Sequence, residues 1–161
     1  MQIDLLNEGM LGHWQARAGV EQCEFQFGTR LIYVQHPQGQ PETPWLTAAQ
    51  QVVQATWDDM PTAMAFAVEQ SKATMPELWK LYERLSWAPP LLLIYSIHFD
   101  LDSPYPSYCI SENPDFDWDL QVQVEDQPGQ DHFRSFAQYQ PGDHYWLTVR
   151  RLGAGRFELD R

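Results

Sequence analysis

The chain has 161 residues, 43% hydrophobic and 14% aromatic, enough to bury a core in one domain without disulfides or a structural metal. Ten Lys and Arg stand against 22 Asp and Glu, and the resulting net charge of −12 repels nucleic acid and anionic membranes while speeding encounter with basic proteins. This composition excludes a disordered chain, and two scattered cysteines, Cys23 and Cys109, do not make a disulfide framework or a zinc site.

The opening "MQIDLLNEGMLGHW" has no basic stretch leading into an apolar one, so no signal peptide is evident. "HWQARA", "CEFQFG" and "RLIYVQH" then read as strands, with Phe25 and Phe27 alternating against polar neighbours and Gly28-Thr29 offering a tight connection. An antiparallel meander with one wet face is the expectation. "PQGQPETPW" carries three prolines in nine residues and suits a passage from a strand layer to a helix layer.

Helical signals run from about residue 46 to 86 and predict about three helices. Thr47 and Gln50 match a capping box, Pro61 fits the first turn of a second helix, and Thr74 with Pro76 predicts the start of a third. Pro89 and Pro90 end the helical region. "LLLIYSIHF" reads as the central, most buried strand, and "PSYCIS", "DWDLQVQV", "DHYWLTVRR" and "RFELD" as further strands, with "GAG" at 153–155 a hairpin turn. The fold class is α+β: one domain over residues 1–161, a mostly antiparallel sheet with the helices on one face. "APPLLLIY", the longest apolar run, is too short to span a bilayer, so a reduced, cytoplasmic location is the expectation.

The stretch "NPDFDWDLQVQVEDQ" spaces Asp115, Asp117 and Asp119 at alternate positions. A calcium loop counted from Asp115 would need glycine at its sixth position and glutamate at its twelfth; Leu120 and Asp126 stand there. In an extended strand the three aspartates share one face, opposite Phe116, Trp118 and Leu120. Like charges along one strand repel, and a cationic partner would relieve that cost. Glu112, Asp100 and Asp102 could extend the acidic patch, and Trp45 in the proline-rich connection is a candidate exposed aromatic anchor. The five histidines show no metal-ligand spacing, His98 reads as a hydrogen-bonded residue of the core strand, and Cys109 has no Cys/His context. No nucleophile-elbow, phosphate-loop or dinucleotide motif is present, and no cofactor or metal is expected.

An early Trp strand, a strand pair ending in "LIYVQ", the segment "PETPWLTAAQQVVQATWDDMPTAMAFAV" and a later acidic-aromatic strand resemble small bacterial domains among the immunity proteins of polymorphic and contact-dependent toxin systems. The resemblance covers order and patterning over about residues 11–126, with Trp14, Gln50 and Asp117-Trp118 as the aligned positions; the glycine-rich acidic-histidine turn associated with such domains is missing. It implies a cytoplasmic, non-enzymatic protein that binds and blocks a cognate toxin. The leading expectation is thus an acidic binding protein for a basic toxin or effector, taking neither nucleic acid nor membrane, with oligomeric state left open. Two alternatives stand beside it: an enzyme assembled from dispersed residues such as His98, Asp100 and Asp102, and an acidic nucleic-acid mimic.

Overall fold

A computed structural model describes residues 1–74, 76, 79, 92–112 and 147–160. Nine elements follow in chain order among the described residues: β1 (Met10–Arg17), β2 (Val20–Phe27), β3 (Arg30–Pro37), α1 (Thr43–Asp58), α2 (Met60–Thr74), β4 (Leu92–Phe99), β5 (Ser107–Glu112), β6 (Leu147–Gly153) and β7 (Arg156–Leu159). The strands form one seven-stranded sheet in the order β1-β2-β3-β4-β5-β6-β7. All neighbours are antiparallel except β3 and β4, which run parallel because the two helices intervene. The α+β class with a mostly antiparallel sheet is therefore observed, and "LLLIYSIHF" does supply the central strand.

Register explains the core. Residues paired across the sheet form one row, Phe25–Ile32–Ile97–Tyr108–Val149–Leu159, running from β2 to β7. The first five are fully buried and Leu159 packs against them from the edge. Helix α1 packs on β3, and α2 on β4, β6 and β7, so the row lies beneath the helices. Alternation of Phe25 and Phe27 with Glu24 and Gln26 produces this one-sided burial. At the β2–β3 turn Gly28 has φ +60°, a conformation an L side chain rarely adopts, which is why glycine stands there.

Two helices, not about three, occupy the described part of the helical region. Thr74, expected to start a third helix, is the last residue of α2, and its hydroxyl donates to the Gln70 carbonyl. The rest of the expected third helix lies outside the described residues, apart from Pro76 and Trp79. Helix α1 also starts earlier than the capping box at Thr47. Glu42 is its N-cap, without a side-chain cap bond, and Pro44 stands in the first turn, where its fixed φ suits a helix start. Gln50 does not reach back to Thr47. Its Oε1 accepts from Leu5 N at 2.6 Å and its Nε2 donates to Ile3 O at 3.0 Å, while Gln54 Oε1, one turn on, accepts from Ile3 N at 2.9 Å. The two glutamines thus hold the N-terminal segment as a strand partner would, with Ile3 and Leu5 buried. The buried face of α2 is Ala63, Ala67 and Ser71, and Ala65 is exposed.

Candidate functional site

The β4–β5 connection and the first half of α1 enclose a cleft of about 460 Å³. Helix α1 supplies Trp45, Ala48, Ala49 and Val52, spaced i, i+3, i+4 and i+7, so a single helical stripe forms one wall. The opposite wall is residues 100–106, "DLDSPYP", which leave β4 and turn back into β5. Two prolines limit that turn's freedom. Leu101 N donates to Gln35 Oε1 at 3.3 Å, and Tyr105 N donates to Ser103 Oγ at 3.2 Å, so the loop is fastened to β3 and to itself.

Three of the seven residues expected to bind a partner meet here: Trp45, Asp100 and Asp102. Trp45 is half-buried, Asp100 half-buried and Asp102 exposed. Neither carboxylate has a cationic ion-pair partner among the described residues. Glu112 ends β5 and pairs in register with Leu92. Asp115, Asp117 and Asp119 lie outside the described residues, as do His132 and His144. Tyr105, 41% exposed, and Val52, 39% exposed, complete an apolar rim that the sequence reading did not single out. The helical spacing of Trp45, Ala48 and Val52 is the signal that carries it.

Burial raises the Asp100 pKa above the ordinary 3.8; the His98 charge opposes the shift, and Asp102 and Asp160 add to it. Folding therefore favours protonated Asp100 and penalises its carboxylate, so stability falls as pH rises from 3.8 through the folded-state pKa. Asp100→Asn is expected to raise the melting temperature at pH 7 by about 2 °C, a gain below about 1 kcal/mol after solvent screening. Thermal melts that show no gain at pH 7, or an equal gain below pH 3.8, would contradict this assignment.

Among the described residues no group of three His, Cys, Asp or Glu side chains could hold a metal ion, and no helix is long and apolar enough to cross a membrane. His98 is hydrogen-bonded, to Ser96, but it lies on the sheet face away from the helices rather than in the core. Cys109 does have a histidine context in space: both line one groove on that face. Its pairing across strands leaves no trace in local sequence. Compared with known proteins, the chain matches no family model, no curated protein and no solved structure.

Proposed function

We propose that this chain is a non-enzymatic, cytoplasmic binding protein of the immunity type, which captures a basic segment of a cognate toxin or effector in the Trp45–Asp100–Asp102 cleft. The observation carrying this reading is the meeting of an aromatic and apolar wall with two carboxylates that lack a cationic partner among the described residues. An arginine or lysine side chain has the complementary build: its stem covers Trp45 and Val52 while its head reaches Asp100 and Asp102. The −12 charge draws such a partner in and raises the association rate more than it deepens the bound state. Asp115, Asp117 and Asp119 are the further steering residues of this proposal.

The test is co-expression with the product of the neighbouring reading frame, read as protection from its toxicity and as a complex of defined stoichiometry. Asp102→Lys, at an exposed position, is expected to weaken the complex about tenfold or more, and Asp117→Lys to slow association most strongly at low salt. An absent complex and absent protection would overturn the proposal. A complex indifferent to Asp102→Lys and to Trp45→Ala would move the interface elsewhere.

A further inference from the structure

A second cluster sits on the sheet face opposite the described helices. Opposite the single β5 residue Cys109, β4 spends two residues, Tyr95 and Ser96, because the register shifts between Ile94 and Ser96. The extra residue inverts the rest of the strand. Leu92 and Ile94 point under the helices, and strict alternation would have put Ser96 and His98 on that same side. Instead Ile97 and Phe99 take that side, and Tyr95, Ser96 and His98 line a groove of about 380 Å³ on the other sheet face together with Tyr33 and Cys109, Ser96 itself being only 1% exposed. Bulges of this kind re-aim side chains next to working sites.

The groups are connected. Ser96 Oγ lies 2.7 Å from His98 Nε2. Tyr33 stacks on the imidazole, ring centroids 4.7 Å apart at 20°, which fixes its plane. Cys109 is the direct cross-strand neighbour of Ser96 and lines the same groove. Burial holds His98 below the ordinary imidazole pKa and Cys109 above the ordinary thiol value, so both are neutral at pH 7. A neutral imidazole has one bare nitrogen. With Ser96 donating to Nε2, its oxygen is free to accept from the Cys109 S–H. The order thiol, hydroxyl, imidazole then runs in one direction.

We propose that Cys109, Ser96 and His98 form a proton relay that makes Cys109 a covalent capture site for small, soft electrophiles. In the step, sulfur forms a bond to the electrophilic carbon and the leaving group departs with its bonding electron pair. The thiol proton passes to Ser96 Oγ as the Ser96 proton passes to His98 Nε2. The imidazolium forms near the Asp100 carboxylate, whose charge favours it, and then loses its proton to water. Among the described residues, the other titratable groups lining this groove are Arg17 on β1, Glu24 on β2, Tyr33 on β3 and Tyr95 on β4. Cys23 does not compete, being 1% exposed within the core.

The experiment is alkylation of the intact protein by iodoacetamide, followed by intact mass across pH. An unassisted thiol reacts about tenfold faster per pH unit below its pKa, because only the thiolate attacks. The relay instead predicts one adduct, abolished by Cys109→Ser, and a rate nearly flat between about pH 7 and 8.5, where His98 is already the free base. His98→Gln and Ser96→Ala are each expected to restore the tenfold slope, with far-UV circular dichroism checking the fold. A tenfold slope in the unaltered protein, absence of an adduct at Cys109, or a flat profile surviving His98→Gln overturns the proposal. The first two outcomes need no variant. All leave the Trp45 cleft untouched, so the two readings fail separately.

Discussion

Phe25→Ala is expected to cost about 3–5 kcal/mol, the largest effect of any single truncation considered. Phe25 has 0% exposure and lies within the buried row on β2, directly paired with Ile32 of β3. Removing its ring deletes the contacts of a large side chain on all sides and leaves a cavity that the neighbouring strand cannot fill, because Ile32 is fixed by its own pairing to Ile97. For a domain whose total stability is about 5–15 kcal/mol, the loss takes a large share of the whole. Urea unfolding should show a much lower midpoint at unchanged slope. Phe25→Leu, which keeps most of the volume, is expected to cost under about 1.5 kcal/mol. Equal costs for the two variants would mean that the site is not close-packed.

Arg151→Ala ranks second, at about 2–4 kcal/mol. The Arg151 Nε donates to Asp59 Oδ2 at 2.6 Å, with side chains 12% and 24% exposed. Asp59 caps the C-terminus of α1, and its carbonyl accepts from Ala63 N of α2 at 2.9 Å, so this ion pair bolts β6 to the corner between the helices. Close by, the Tyr108 hydroxyl donates to the Thr56 carbonyl of α1 at 2.6 Å, a buried bond from β5 to the same corner. Truncating Arg151 strands a carboxylate that is only a quarter exposed, and partly buried anions left unpaired are costly. The expected loss stays below that of a fully buried pair because water still reaches Asp59. A double-mutant cycle with Asp59→Ala should return a coupling above about 1 kcal/mol; a value near zero would place the pair with ordinary surface bridges.

The candidate cleft was half legible. Asp100, Asp102 and Trp45 were identified from their own chemistry, charge near a strand end and an aromatic in a proline-rich passage. That they share one cleft follows from β3 and β4 lying side by side, which carries the loop after β4 over the start of α1. Gln50 and Gln54 illustrate the reverse case. Locally, Gln50 completes a cap for Thr47, yet the backbone of Ile3 and Leu5 competes for the same amide and wins, because that segment buries two large side chains as it docks.

From residues alone come the α+β class, the order of strands, helices and strands, the central place of "LLLIYSIHF" and the acidic balance. Those properties are read from patterns of two and 3.6 residues and from counting charges, which are local or additive. Tertiary structure alone decided that β3 and β4 run parallel, which residues form the buried row, and that Ser96 and His98 share a groove with Cys109 on the sheet face opposite the buried row. The last depends on one extra residue at Tyr95. Nothing in "LIYSIHF" marks a bulge, since register is set by the pairing energy of two strands and not by either strand on its own.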